Sequence, residues 1–277
     1  MDKINIKGLE FYAKHGVLEI EKERGQVFSI DCEIQVDTSN CKDKIENTIH
    51  YGNVSMDIVE FATSHTYDLL ESLVNKLAKF LLTKYRMAKE ITVTVHKPHA
   101  PIPTKFEDVS VTVTRGWHTA YLAIGSNLGD KKAYLDMVSE EIEADENMEL
   151  VKTSSYIETE PYGVTDQPTF MNGAVKVRTI YTPWELLDFC SRVEQKAGRV
   201  RKRHWGERTL DVDIIMYENE VIFTDELKVP HPEMHLRDFV LRPLVEIEPY
   251  LIHPLLGVNV QTLLERVNGK QNAKFKI

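Results

Sequence analysis

The chain has 277 residues, 42% of them hydrophobic and 28% charged, an ordinary globular composition at a length that suggests about two domains. The formal net charge of −9 excludes a broad basic face of the kind that binds nucleic acid or a membrane surface. Cys32, Cys41 and Cys190 have no C-x-x-C spacing, so they read as buried, reduced thiols and not as a disulfide frame or zinc site. At the N-terminus, MDKINIKGLEFYAKHG is charged and lacks the apolar run of a secretory signal. No apolar stretch approaches the roughly 18 residues of a membrane span, and a cytoplasmic location is expected.

Residues 3–12 and 26–37 read as strands, the second with clear alternation. Helical spacing follows at Val54, Ile58 and Phe61 over 53–65. The strongest helix is 69–85, where Leu70, Leu73, Val74, Leu77 and Leu81 keep the i, i+3, i+4 pattern. Asp68 fits its N-cap and Glu71 its N3 position, as in a capping box. Alternating strands follow at 91–95 and 109–114. The order ββααββ predicts an α+β unit with helices on one face of an antiparallel sheet. Near Arg115-Gly116-Trp117-His118 the pattern restarts without a Gly/Ser-rich linker, dividing the chain into 1–117 and 118–277. A buried strand at 121–127, a helix over about 130–144 and strands at 149–158 and 172–180 come next. Then a helix opens on Thr182, Pro183 and Glu185. A last strand carries Asp211 and Asp213. This βαββαβ order is that of a ferredoxin-like α/β sandwich.

The densest chemical signal is RVRKRHWGERTLDVDII at 199–215. If 210–215 is a strand, Asp211 and Asp213 project from one face. Adjacent carboxylates repel unless a cation lies between them, and Mg²⁺ takes one or two carboxylates together with substrate phosphates. Arg199, Arg201, Lys202, Arg203 and Arg208 lie just upstream, and guanidinium forks match phosphate oxygens. Acid pair and basic loop suit a Mg²⁺–nucleotide phosphoryl-transfer site. The competing reading is a solvated charged loop entering an acidic edge strand.

AIGSNLG at 123–129, QPTFMN at 167–172, the 198–214 stretch and VPH at 229–231 resemble 6-hydroxymethyl-7,8-dihydropterin pyrophosphokinase over 119–277. The resemblance implies transfer of the β,γ-pyrophosphoryl group of ATP to the pterin hydroxymethyl oxygen, releasing AMP. It implies two Mg²⁺ ions on Asp211 and Asp213. Arg199 and Arg208 would hold the transferring and leaving phosphates. Arg201 and Trp205 would belong to a closing loop, His231 would lie near the α-phosphate, and Arg237 would be a weaker phosphate contact. Phe170 and Phe239 would sandwich the pterin ring, with Asn172 bonding its edge. Without the motif both phenylalanines read as core. The H-x-x-x-H spacing of His231 and His235 does not read as zinc-binding, because Pro232 interrupts a helix there.

FYAKHGVLEIEKERGQVF at 11–28, HYGNV at 50–54, LLESLVNKLA at 69–78 and KPHAPIP at 97–103 resemble dihydroneopterin aldolase over 1–117. The family fold is the T-fold, whose subunits pair sheets into rings. A homo-oligomer, tetramer or octamer, with sites between neighbours is therefore implied, and also no cofactor for this domain. The reaction cleaves 7,8-dihydroneopterin into 6-hydroxymethyl-7,8-dihydropterin and glycolaldehyde. Lys97 would be the general acid/base, aided by Tyr51 from the neighbouring subunit. Glu71 would anchor the pterin, Glu21 would support it, and Val17 and Leu70 would line the pocket; His15 would be structural. Read locally, Lys97 could be a solvated lysine before a Pro-rich loop, and Glu71 only a capping residue. Together the resemblances imply two consecutive folate-biosynthesis steps, acting on pterins and ATP. The alternatives are a non-catalytic pterin-binding first domain, or a kinase for an unrelated alcohol.

Overall fold

The computed structural model describes residues 1–161, 166–198 and 208–274. Two units, Met1–Trp117 and His118–Ile277, are each organised around one sheet.

In the first unit the elements are β1 (Asp2–Ala13), a short helix α1 (Glu19–Arg24), β2 (Gln26–Val36), α2 (Tyr51–Ser64), α3 (Leu70–Lys84), β3 (Glu90–His96) and β4 (Ser110–Gly116). The strands lie in the order β1-β2-β3-β4 with every neighbour antiparallel, the α+β, T-fold arrangement. Alternation decides which face is covered. Phe28, Ile30, Cys32 and Ile34 of β2 and Ile91, Val93 and Val95 of β3 are buried. So are Val54 and Ile58 of α2 and Leu73, Val74, Leu77 and Leu81 of α3. Threonines fill the other face, where Thr92–Thr114 and Thr94–Thr112 bond across β3 and β4 at 2.8 Å.

Two local expectations change. α2 begins at Tyr51, capped by His50, whose Nδ1 accepts the Asn53 N–H at 3.2 Å. α3 has Leu69 at its N-cap without a side-chain bond. The predicted capping box is therefore absent, and Glu71 is the second helical residue. The helix starts one residue later than expected, which leaves Asp68 outside the N-cap, with its carboxylate paired to Lys22 at 2.9 Å. Among the thiols, Cys32 and Cys190 are buried, but Cys41 is only half-buried, and all three are free.

The second unit runs β5 (His118–Ser126), α4 (Lys131–Ala144), β6 (Met148–Thr153), β7 (Ile157–Thr159), β8 (Phe170–Thr179), α5 (Pro183–Lys196), β9 (Asp211–Tyr217), β10 (Ile222–Phe223), β11 (Lys228–Val229), α6 (Asp238–Ile247) and α7 (Val260–Lys274). The sheet order β6-β8-β5-β9 is that of a ferredoxin-like sandwich. The strand expected over 149–158 is two strands, both paired to β8. The ladder breaks because the Ser155 backbone and hydroxyl donate to Glu246 Oε1 at 2.9 and 3.0 Å. α5 starts as its sequence predicts: Thr182 Oγ1 accepts the Glu185 N–H at 3.3 Å, and Glu185 Oε2 accepts the Thr182 N–H at 2.9 Å.

Two apolar clusters sandwich this sheet. Leu122, Ile124, Val175, Val177 and Val212 pack with Leu135, Val138 and Ile142 of α4 and with Leu186, Phe189 and Val193 of α5. Tyr121, Ala174, Ile215 and Met216 pack with Val240, Leu241 and Leu244 of α6 and with Val260 and Leu263 of α7. Leu122 is fully buried in the first cluster. Leu122→Ala is expected to cost about 2–5 kcal/mol, read as a lower denaturant midpoint.

Candidate active sites

In the first unit, Lys97 follows the last residue of β3, and its N–H donates to the Val109 carbonyl at 2.7 Å. Its Nζ forms an ion pair with Glu21 Oε1 at 2.5 Å. Lys97 is 8% exposed and Glu21 7%, so this is a buried charge pair, which persists only with close partners. Nζ also donates to the His15 carbonyl at 3.5 Å and lies 5.8 Å from the Phe28 ring centre. Glu21 Oε2 accepts the Leu18 N–H at 3.1 Å. Burial pushes the Glu21 pKa up, but bonds from Lys97 and Leu18 and the Lys97 charge outweigh it, so the net shift is downward. The carboxylate thus stays ionised against Nζ. The loop at 14–18 can approach this carboxylate only through Gly16. That residue has φ +144°, and a Cβ there would lie 2.3 Å from Glu21 Oε2.

The other expected aldolase residues divide by exposure. Leu70, the first residue of α3, is buried, and Val17 is exposed on the loop beside Gly16. Gly16 N–H donates to the Tyr67 carbonyl at 3.0 Å, tying that loop to the approach of α3. Glu71 and Tyr51 stand exposed on the chain surface. Tyr51 packs beside His50, with ring centres 5.9 Å apart, and not against Lys97.

In the second unit, β9 pairs with β5 so that Asp211 lies opposite Gly125 and Asp213 opposite Ala123. β8 sits on the other side of β5 and places Asn172 opposite Gly125. Asn172, Gly125 and Asp211 therefore form one cross-strand row with side chains on one face. At the usual strand spacing its ends are about 10 Å apart. A Cβ at Gly125 would lie 2.9 Å from Asn172 Oδ1, so glycine leaves the middle of the row open. Asn172 is buried, and its Nδ2 donates to Thr159 Oγ1 at 2.7 Å. An amide keeps a further N–H and an acceptor for a planar ligand.

Among the described residues, Asp211, Asp213 and Glu194 face two guanidiniums, those of Arg208 and Arg237. Burial pushes the Asp213 pKa up to about 7, and repulsion from Asp211 and Glu194 adds to this against the pull of Arg208 and Arg237. Arg208 is ion-paired with Asp211. Arg237 is ion-paired with Glu233, and its guanidinium lies 5.7 Å from the Phe239 ring centre. The His231 N–H donates to the Ile215 carbonyl at 2.9 Å, and His231 Nδ1 accepts the Glu233 N–H at 3.2 Å. Burial lowers the His231 pKa, and the Arg237 charge lowers it further against Glu233 and Asp211. The ring is thus neutral with its proton on Nε2. Phe170 opens β8 and Phe239 lies at the start of α6, each half-buried.

Arg208, Asp211, Asp213, His231 and Arg237 are therefore brought together, and Asn172 lies on the same row. Arg199, Arg201 and Trp205 lie outside the described residues. Two contributors escape a reading of the sequence. Asn127, 2% exposed, accepts the Arg208 N–H on Oδ1 at 2.8 Å and donates from Nδ2 to Gln167 and Pro168 at 3.3 and 3.4 Å. It sits inside the AIGSNLG motif, but its partners are distant in sequence. Glu194 on α5 accepts the Val212 N–H at 2.9 Å, and nothing in its local pattern points to β9. Among the described residues no group of three or more His, Cys, Asp or Glu could hold a metal ion. Two neighbouring carboxylates, oxygen donors only, still fit Mg²⁺, which keeps positions for water and phosphate.

A 7,8-dihydro-6-hydroxymethylpterin-pyrophosphokinase (HPPK) family model matches residues 121–249. The Haemophilus influenzae 2-amino-4-hydroxy-6-hydroxymethyldihydropteridine pyrophosphokinase is 44% identical over 159 residues, 57% of this chain and 96% of that protein. The chain belongs to the HPPK family. N-terminal to the HPPK domain, a dihydroneopterin aldolase family model matches residues 4–114, so the chain joins an aldolase domain to a pyrophosphokinase domain. Both occur in one alignment with the Dictyostelium discoideum folic acid synthesis protein FOL1, 32% identical over 299 residues. That alignment covers 97% of this chain but 45% of FOL1, so the chain spans under half of that relative. A solved putative dihydroneopterin aldolase from Vibrio cholerae aligns with 42% of this chain and 98% of its own, at 24% identity and TM-score 0.40.

Gly16→Ala is expected to break the Lys97–Glu21 pair and cut aldolase turnover at least tenfold, measured as glycolaldehyde release. A second expectation concerns pH. The folded-state pKa of Asp213 lies above its unfolded value, so the folded chain binds that proton more tightly. This stabilisation is complete below about pH 4 and is lost as pH rises through about 7. Denaturant midpoints of metal-free protein should fall over that range, and Asp213→Asn should remove the slope.

Proposed function

We propose that the chain carries out two consecutive steps of folate biosynthesis at the sites described above. The observation that carries this reading is the presence, in one chain, of a buried Lys–Glu pair and of an aspartate pair that shares one strand face in line with a buried asparagine.

In the aldolase step, the Lys97–Glu21 pair removes a proton from a side-chain hydroxyl of 7,8-dihydroneopterin. The carbon–carbon bond between the first two side-chain carbons breaks, glycolaldehyde leaves, and the electrons enter the dihydropterin C=N system. Lys97, as the ammonium, then returns a proton to carbon, giving 6-hydroxymethyl-7,8-dihydropterin. Proton transfer of this kind is worth about 10²–10⁴-fold. The substrate supplies its own electron sink, so the scheme requires no cofactor. Glu71 binds the pterin amino and ring N–H groups, with Val17 and Leu70 as pocket wall. Tyr51, surface-exposed in one chain, reaches this site from a neighbouring subunit. A tetramer or octamer fits the exposed apolar residues Tyr12, Val17, Leu18, Ile20, Val27 and Leu69, which an assembly would cover.

In the pyrophosphokinase step, the hydroxymethyl oxygen attacks the β-phosphorus of ATP, the bond to the α-phosphate oxygen breaks, and AMP leaves. Asn172 positions the pterin edge between Phe170 and Phe239. Arg208, anchored through Asn127, and Arg237 neutralise phosphate charge, and His231 Nε2–H donates to the α-phosphate. Arg199, Arg201 and Trp205 complete the phosphate contacts and the closing loop. Asp211 and Asp213 would hold two Mg²⁺ ions. Bound there, magnesium would offset the negative charge that develops on the phosphates. A cytoplasmic location suits free thiols and nucleotide substrate.

Incubation with dihydroneopterin, ATP and Mg²⁺ should yield glycolaldehyde, the pterin diphosphate ester and AMP by mass spectrometry. ADP as coproduct would overturn the second step. Lys97→Ala should lower glycolaldehyde release at least 100-fold while supplied hydroxymethyl-dihydropterin is still converted. Persisting release would remove Lys97 from its role.

A further inference from the structure

His15 is 1% exposed and has two distinct attachments. Its backbone carbonyl accepts from Lys97 Nζ at 3.5 Å. Its ring Nδ1 accepts the Tyr67 backbone N–H at 3.2 Å. The next residue closes the loop in the opposite sense, since Gly16 N–H donates to the Tyr67 carbonyl at 3.0 Å. Two residues of the 14–18 loop thus clasp both backbone polar groups of Tyr67. Three residues beyond Tyr67, Leu70 opens α3, and Glu71 follows.

A backbone N–H can only donate, so Nδ1 must keep its lone pair and the ring proton must sit on Nε2. Burial, together with the Lys97 charge, favours this neutral ring against a smaller opposing pull from the Ala62 carbonyl. The ring is packed on three sides, with centres 5.2 Å from Phe28, 5.7 Å from Tyr67 and 6.3 Å from Phe11. Phe28 also lies beneath Lys97 Nζ. His15 therefore links the acid/base pair, through its carbonyl, to the helix entry that carries Leu70 and Glu71, through its ring.

We infer that His15 is a positioning residue of the aldolase site, whose Nδ1 acceptor fixes the register between the Lys97–Glu21 pair and the pterin-binding start of α3. The inference rests on the proposed aldolase reading. A ring that only fills space would be replaced well by phenylalanine. A ring used as an acceptor would be replaced better by asparagine, whose Oδ1 occupies the place of Nδ1.

The test compares His15→Phe and His15→Asn in the full chain, using neopterin binding by fluorescence titration and steady-state cleavage of dihydroneopterin. Circular dichroism and pyrophosphokinase turnover of the same preparations monitor folding. His15→Phe should weaken neopterin binding and raise KM at least tenfold, with a smaller change in kcat. His15→Asn should stay within about threefold of the parent in both. Parent-like binding by His15→Phe, or an equal loss in both variants, overturns the inference. A parent chain that binds neopterin without cleaving dihydroneopterin overturns the aldolase reading alone, and the two variants still decide the role of His15. A parent that does neither overturns both.

Discussion

Charges in a poorly hydrated pocket need a compensating partner, and both sites are organised by how that need is met. Unit charges about 4 Å apart interact by roughly 4 kcal/mol near a protein surface. In the second unit, strand alternation puts Asp211 and Asp213 on one face, and Glu194 from α5 adds a third carboxylate. Arg208 and Arg237 offset part of this, and Asp213 retains its proton to about pH 7. A divalent cation would lower the repulsion among these carboxylates. The first unit shows the opposite arrangement. Lys97 and Glu21 neutralise each other inside the chain.

The supporting structure follows from these demands. Glu21 is presented by a six-residue helix, α1, too short to be stable alone. It is held by the Lys97 ion pair, by the Lys22–Asp68 pair and by a loop that glycine alone lets close. Arg208 is likewise held by its backbone through Asn127, which leaves the guanidinium to meet Asp211. In both places a residue without obvious chemistry sets the geometry of one that has it.

What was legible in the sequence depended on short-range pattern. The shared face of Asp211 and Asp213 follows from a period of two. The α3 core positions follow from a period of 3.6, and the Thr182–Glu185 cap from a spacing of three. Asp68 and Glu71 match a cap equally well, but the helix begins at Leu70, one residue beyond the start they mark. α6 and α7 were not anticipated; Pro243 inside α6 removes the helical signal there. α1 was missed because a charged EIEKER segment offers no apolar stripe. Asn127 and Glu194 act through partners that only the folded sheet brings near.

The row through Asn172, Gly125 and Asp211 has a consequence for how the second unit can change. The separation of Asn172 from Asp211, which we propose face pterin and phosphate, is measured in strand widths, and backbone hydrogen bonding sets that ruler. Core substitutions can soften or stiffen the unit, yet they cannot stretch this distance without unzipping β5 from a neighbour. Reach toward substrates of other sizes would have to come from the rim, because the floor is graduated in fixed steps.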